Sequence, residues 1–332
     1  MRVKTPHFWY RRLSAPAPLM EMALTPLSWA YRLGHAVNQN FADPEKAPLP
    51  VICVGNLVAG GSGKTPTAIA LMQLLRSKNI VRTPYFLTRG YGGHETGPLL
   101  VDYFRHTHEE VGDEALMLAK DCFTVMSADR AAGARFAAQK GADAVLMDDG
   151  LQNTTLQRDL NFIVIDGSVG FGNGKTLPAG PLREPLNNGL LRADAFILIG
   201  KDKTGVLELL PEDKPLFNAS VEVPHNAKPD PGKKYVAFAG LGRPEKFYFQ
   251  LQHLGLEVVG WHPYADHYPY AASDLQKLSD EAREKGAVLI TTEKDYRRLP
   301  QGDFGTIAHL PIELLWQNEE ALVAFLRQRL SP

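Results

Sequence analysis

The sequence is poor in cysteine, in net charge and in long apolar runs, and each shortage excludes a class of protein. Cys53 and Cys122 are its two cysteines. That is too few for a disulfide scaffold or a four-thiolate zinc site, and both stand in apolar surroundings of the kind that hold buried free thiols. A reducing, cytosolic compartment is therefore expected. Lys and Arg total 36 against 37 Asp and Glu, a formal net charge of −1, so nothing attracts nucleic acid overall and no nucleic-acid partner is expected. The longest uncharged stretch, residues 47–63, is crowded with Pro and Gly and falls short of the roughly 18–20 apolar residues that span a bilayer. The first residues, with Pro6 followed by aromatic and then basic residues, lack the unbroken apolar core of a secretory signal.

What is present is an ordinary globular composition, 44% hydrophobic and 22% charged over 332 residues, enough for two domains with a core each. Residues 7–38 carry Leu19, Met22, Ala23, Leu27, Ala30 and Leu33 at broadly helical spacing. Pro16, Pro18 and Pro26 should break or kink this stretch. Over the first 40 residues Arg2, Lys4, Arg11, Arg12 and Arg32 face Glu21 alone. Two readings follow: a pair of helices packed on the domain, or a helix lying in a membrane interface, where aromatic rings and cations favour the headgroup layer.

From residue 50 the pattern changes to short runs apolar at every position, each followed by a helical stretch: Val51 to Val54, Ala144 to Met147, Phe162 to Ile165 and Ala195 to Ile199. Such runs fit strands covered on both faces, so a parallel sheet between helices is expected. After a Pro-rich stretch from Pro211 to Pro231, strands at 235–239, 256–259 and 288–290 alternate with helices near 244–254, 273–285 and 313–329. The expected fold is α/β: an N-terminal amphipathic segment over 1–40, a P-loop-like α/β/α domain over 41–222, and a smaller α/β domain over 223–332.

Val58-Ala59-Gly60-Gly61-Ser62-Gly63-Lys64-Thr65 follows the first of these strands and opens a helix, which is the setting a phosphate-binding loop requires. Glycines let backbone amides turn inward around phosphate oxygens, Lys64 reaches the β- and γ-phosphates, and Thr65 can ligate Mg²⁺. A strict motif would have Gly at position 58, so this is a variant. Ser62 is expected to contribute mainly its backbone. Asp148 and Asp149 end a buried strand, where P-loop folds place an acid that holds Mg²⁺ directly or through water. The same pair could cap the next helix.

A kinase also needs a group to accept the proton of its acceptor hydroxyl. Asp113 and Glu114 precede an apolar helix, where capping carboxylates would equally be found. His267 lies in a polar, aromatic segment, Tyr264 to Pro269. Arg183 and Glu184, in the Pro-rich loop Leu177 to Pro185, suit a phosphate clamp and the metal shell respectively, and Arg89 is a second clamp candidate. Thr292-Glu293-Lys294-Asp295 follows a strand and reads either as a functional loop or as a helix cap.

Taken together, Gly60 to Pro66, Arg89-Gly90-Tyr91, Gly112-Asp113-Glu114, Asp148-Asp149-Gly150, the Leu177 to Pro185 loop, Ala239 to Pro244, Asp266-His267-Tyr268 and Thr292 to Asp295 resemble the tetraacyldisaccharide 4'-kinase family, in the family's order. The resemblance implies ATP-dependent phosphorylation of the 4'-hydroxyl of a lipid A precursor, a tetraacylated disaccharide 1-phosphate, at the cytoplasmic face of the bacterial inner membrane. It further implies two α/β/α domains joined by a short two-stranded linker, and an N-terminal helix that meets the lipid surface. The family's catalytic carboxylate matches Asp113, with His267 as its partner. Lys64 would stabilise the transferring phosphoryl group, and Thr65, Asp148 and Asp149, with Glu114 and Glu184 as further acids, would serve Mg²⁺. Departures are small: Ser62 stands where Thr is common, Leu151 where Phe is frequent and Asn153 where His is often found. Asn153 is accordingly left out of the site. Competing readings are a P-loop kinase or GTPase-like factor for a soluble substrate, and a membrane-associated nucleotide-binding adaptor without chemistry.

Overall fold

The computed structural model describes residues 6–10, 17–40, 43–266 and 268–330. They form two units, the first comprising 6–221 and 314–330, the second 222–313. Among the described residues the larger unit has eight strands before the smaller one begins. These are β1 (Val51–Gly55), β2 (Pro84–Thr88), β3 (Leu99–Leu100), β4 (Thr124–Met126), β5 (Ala144–Asp148), β6 (Leu160–Asp166), β7 (Ala195–Ile199) and β8 (Leu216–Glu222). With β13 (Glu313–Trp316) they build one nine-stranded sheet in the order β13-β8-β7-β6-β1-β5-β2-β4-β3. From β8 through β4 the pairs are parallel, and the short edge strand β3 runs antiparallel to β4. Strands β1, β2, β4 and β5 are buried at every position, whereas β3 and β8 are only partly buried.

The two-residue period of a strand divides the core. Val51 and Cys53 of β1 face α5 (Arg130–Gln139) and α6 (Leu186–Arg192), whereas Ile52 and Val54 face α2 (Lys64–Ser77). Helix α2 meets the sheet with Ala68, Leu71, Met72 and Leu75, the i, i+3, i+4, i+7 stripe of a helix buried along one side. The short helices α3 (His108–Val111) and α4 (Asp113–Ala119) lie between β3 and β4 in the chain.

The C-terminal residues depart from the sequence expectation, which carried the second domain through 332. Residues 314–330 belong to the larger unit. There β13 extends the sheet beside β8, and α10 (Glu319–Leu330) buries Leu322 and Leu326 on the α2 face. Its Phe325 ring lies 6.0 Å from Phe162 and 5.5 Å from Phe217. Helical periodicity shows that a helix has an apolar face but does not say which sheet receives it.

The N-terminal segment departs further. A 3₁₀ turn, His7–Tyr10, precedes one continuous helix, α1 (Leu19–Asn40), which contains Pro26 without being divided by it. The side chains that periodicity would send inward point out: Leu19 is 84% exposed, Leu33 68% and Leu27 57%. Among the described side chains of α1, those buried are Glu21 and Ser28. A helix pair packed through its apolar face is therefore excluded. Arg2, Lys4, Arg11 and Arg12 lie outside the described residues.

The smaller unit is a second three-layer sandwich. Its strands β9 (Lys234–Ala239), β10 (Glu257–Pro263), β11 (Ala287–Thr292) and β12 (Ile307–Leu310) form a parallel sheet in the order β10-β9-β11-β12. Helix α7 (Glu245–His253) covers Tyr235, Ala237 and Ala239 on one face, and α8 (Ala272–Glu284) covers Val236 and Phe238 on the other. A one-turn helix, α9 (Glu293–Tyr296), follows β11. Among the described residues no helix is long and apolar enough to cross a membrane.

Candidate active site

The site grows from the register of the central strands. Val54 of β1 pairs with Asp148 of β5, so the loop that leaves β1 starts beside the acid that ends β5. The loop runs from Asn56 to Gly63 and enters α2 at Lys64. Gly63 occupies the N-cap in the left-handed region at φ 85°, a conformation that favours glycine. No side chain caps this helix. Its first amides remain for an anion, where the positive end of the helix dipole also points.

One expectation for the loop is corrected. Ser62 contributes more than its backbone: it is buried, and its hydroxyl accepts a 2.6 Å hydrogen bond from Asn56 Nδ2, which also donates to Val58 O at 2.8 Å. Asn56 thus braces the loop from inside. Val58 and Ala59 also tie the loop to its surroundings. Val58 bridges Leu182, and the Ala59 amide donates to Pro181 O at 2.7 Å, which ties the loop to the Pro-rich segment.

The two adjacent carboxylates divide their roles. Asp148 is buried and accepts the Thr65 hydroxyl at 2.7 Å through Oδ2, while its Oδ1 is buried without a hydrogen-bond partner. Burial, and then the negative charge of Glu114, raise its carboxyl to about 7. Burial would also raise Asp149, but Lys64 and Arg183 outweigh it and hold that carboxyl below the ordinary range. Asp149 Oδ2 is 3.5 Å from Lys64 Nζ, and Arg183 Nη1 donates to both its oxygens at 2.8 and 3.0 Å. Asp149 adopts φ 58°, a left-handed conformation of a non-glycine residue, which turns consecutive side chains to different partners. Lys64 is depressed by burial, raised in part by Asp149 and lowered again by Arg183.

Gln152, a residue that sequence reasoning missed, extends this network. Its Oε1 accepts from Arg183 at 3.2 Å, and its Nε2 donates to Glu184 Oε1 at 3.2 Å. Glu184, expected in a metal shell, is fully buried and takes its charge-assisted hydrogen bond from Arg192. Its two oxygens are thus occupied by Gln152 and Arg192. The negative charges that bear on Asp148 are Glu114 and Asp149, which favours Glu114 over Glu184 as the supporting acid.

Asp113 and Glu114 open α4, and the charge of Glu114 acts on both Lys64 and Asp148, so the start of α4 lies within the field of the loop. Gly112, at φ 86°, lets the backbone there approach the Arg89-Gly90-Tyr91 turn, where a Cβ would stand 2.5 Å from Tyr91 O. Arg89 is exposed at the end of β2. Its charge contributes to depressing buried Arg130 to about 10, after the larger effect of burial. Asn153 accepts from the amides of Thr155 and Leu156, a turn-forming role that agrees with its exclusion from the site. His267, the expected partner of Asp113, lies outside the described residues. In the smaller unit Thr292 caps α9, accepting from Asp295 N at 3.0 Å and donating to Asp295 Oδ2 at 2.7 Å. Thr292 to Asp295 thus forms a strand-to-helix cap.

A parallel sheet whose central strand feeds an uncapped glycine-loop helix, with a lysine and a buried acid at its mouth, defines a P-loop kinase. The family model described as tetraacyldisaccharide-1-P 4'-kinase matches residues 20–331, and the chain belongs to that family. Among its relatives, a tetraacyldisaccharide 4'-kinase from Rhodospirillum centenum is 43% identical over 330 residues, covering 99% of this chain and 97% of the relative. One from Paramagnetospirillum magneticum is 45% identical over 323 residues, covering 96% and 97%. A crystal structure of LpxK from Aquifex aeolicus, described as an "apo" form in complex with ATP, superposes with a TM-score of 0.74 at 30% identity. That match covers 94% of this chain and 100% of the other.

Proposed function

We propose that this chain transfers the γ-phosphate of ATP to the 4'-hydroxyl of a tetraacyldisaccharide 1-phosphate in lipid A biosynthesis, working at the cytoplasmic face of the bacterial inner membrane. The observation that carries the reading is the pair of neighbouring acids at the mouth of the glycine loop: Asp148, neutral-leaning and bonded to Thr65, beside Asp149, ionised and paired with Lys64.

The residues fit a hard divalent cation. Asp148 offers a buried oxygen without a partner, Thr65 a hydroxyl, and Glu114 further negative charge. Among the described residues no three acidic, imidazole or thiol side chains converge as a protein-only cage would require, which suits Mg²⁺, since it keeps waters and phosphate oxygens among its ligands. Thr65 and Asp148 would hold it, and when bound it would offset phosphate charge. The chain does the rest. The α2 amides and Lys64 bind the phosphates, Arg183 steadies Asp149, and Asp113 accepts the proton of the 4'-hydroxyl as the new P–O bond forms. Incubating the protein with ATP, Mg²⁺ and detergent-dispersed tetraacyldisaccharide 1-phosphate should add one phosphate at the 4'-position by mass spectrometry. Asp113→Asn should bind ATP and fail to transfer. An unmodified lipid with wild-type protein would refute the assignment of the acceptor.

Exposed Leu19, Met20, Met22, Leu27, Trp29 and Leu33 on α1 support the membrane location. Apolar side chains held in water gain free energy in the acyl boundary at about 0.8 kcal/mol per CH₂. Leu27→Glu with Leu33→Glu should lower binding to anionic vesicles at least about tenfold while leaving ATP affinity unchanged. Undiminished vesicle binding would instead favour a soluble acceptor.

A further inference from the structure

Helix α1 is amphipathic in an inverted sense. Its apolar side chains face solvent, while a polar stripe is turned inward against one loop. Glu21 is fully buried with Oε1 3.4 Å from Lys175 Nζ, and Thr25 Oγ1 lies 3.4 Å from the same nitrogen. Ser28 donates to Thr176 O at 2.8 Å and accepts from Ala179 N at 3.0 Å. Tyr31 donates to Arg183 O at 2.9 Å. Residues 21, 25, 28 and 31 recur at the spacing of a single helical face. Ahead of the helix, Trp9 Nε1 donates to Pro178 O at 3.0 Å.

The gripped loop is the one that carries Arg183. Its opposite side is bound to the phosphate loop: Ala59 N donates to Pro181 O at 2.7 Å, and Arg183 N to Leu57 O at 2.8 Å. The segment from Lys175 to Arg183 is therefore held between α1 and the glycine loop, and the last residue of that segment places its guanidinium on Asp149. A helix serving only as an anchor has no need of buried polar contacts to this loop. Burying the Ser28 hydroxyl and the Glu21 carboxylate costs free energy unless their partners stay in place, so α1 and the loop hold each other in one arrangement.

We infer that Ser28 and Tyr31 are positioning residues for phosphoryl transfer, fixing the loop so that Arg183 meets Asp149 from a helix whose other side is apolar and exposed. The inference rests on reading Lys64, Asp149 and Arg183 as the phosphate-handling group. The test uses the full chain with Ser28→Ala, Tyr31→Phe, the double variant and Arg183→Ala, each also checked for its melting temperature. The double variant should lose roughly tenfold in kcat/KM for ATP, the scale set by the buried Ser28 hydrogen bonds together with the exposed one from Tyr31. It should bind anionic vesicles as wild type does. Ser28→Thr, which keeps the hydroxyl, should recover most of the loss. In an Arg183→Ala background the double variant should cost nothing more, because its effect passes through Arg183. An equal loss in both backgrounds, or a lower melting temperature with unchanged kcat/KM, would overturn the inference. Wild-type kinetics in the double variant, with Arg183→Ala impaired, would overturn the inference alone. Wild-type kinetics in Arg183→Ala would remove the reading of the site itself.

Discussion

Lys64→Met is expected to lower kcat by about a thousandfold, the effect of deleting one preorganised charge that acts on the transition state, while ATP affinity falls far less. The side chain of Lys64 is only 11% exposed, and its counter-ion in the structure, Asp149, lies at 3.5 Å and is shared with Arg183. Burial pulls its pKa below that of an ordinary lysine, Asp149 restores part of the loss, and Arg183 removes some again. A poorly solvated cation with half a partner interacts strongly with charge that develops on phosphoryl oxygens. ATP supplies the missing negative charge, so binding should raise the Lys64 pKa back toward that of an ordinary lysine. Methionine keeps the unbranched stem and removes the charge. Single-turnover transfer with a parallel ATP titration separates the two effects. A fall in kcat of less than about tenfold would mean that Lys64 orders the loop and does not act on the transferring group.

Asp148→Asn should abolish Mg²⁺-dependent transfer and, in chelator, make the protein more stable than wild type at pH 8. The sign follows from proton counts. Burial, with Glu114 adding to it, lifts the folded carboxyl from 3.8 to about 7. Between those values the folded state keeps a proton that the unfolded chain has released. Stability therefore falls as pH rises through that window and levels off above it. A shift of roughly three units corresponds to about 4 kcal/mol at most. Asparagine still accepts the Thr65 hydroxyl and carries no charge to desolvate. Urea unfolding in chelator at pH 5 and pH 8 should show a small gap between variant and wild type at the lower pH and a large one at the higher. Equal gaps at both would show that Asp148 is ionised in the metal-free fold. Mg²⁺ should narrow the pH 8 gap, since it binds wild type and not the variant.

How much of this was legible in the sequence differs from element to element. Gly60 to Thr65 between a β-rich run and a helical one marked the phosphate loop, because the chemistry is carried by local backbone geometry. Asp148 and Asp149 were visible as a pair, but their division was not, since it depends on φ at Asp149 and on Lys64, Arg183 and Glu114 arriving from distant parts of the chain. Glu184 looked like a metal ligand because it follows Arg183, yet Arg192 and Gln152 occupy it in the fold. Gln152 itself gave one signal, its place two residues after the acid-acid-glycine turn. The apolar residues of α1 were found and then assigned two destinations, because periodicity identifies a stripe without saying whether protein or lipid will cover it. Asn56 lies two residues ahead of Val58, and its brace on Ser62 required the loop to be closed.

The place of β13 and α10 has a consequence for how the protein is made. Synthesis delivers β1 to β8 first, then the whole of the smaller unit, and only afterwards the strand and helix that complete the larger sheet. Leu314, Leu322 and Leu326 each bury a side chain there, worth about 1.5–3 kcal/mol apiece. During translation the nucleotide-binding half thus waits with β8 unpaired along one edge and Phe162 and Phe217 without Phe325, while the later-made half already has all four of its strands. The order of maturation is the reverse of the order of synthesis, and a ribosome stalled near residue 313 would release an open sheet edge next to a finished domain.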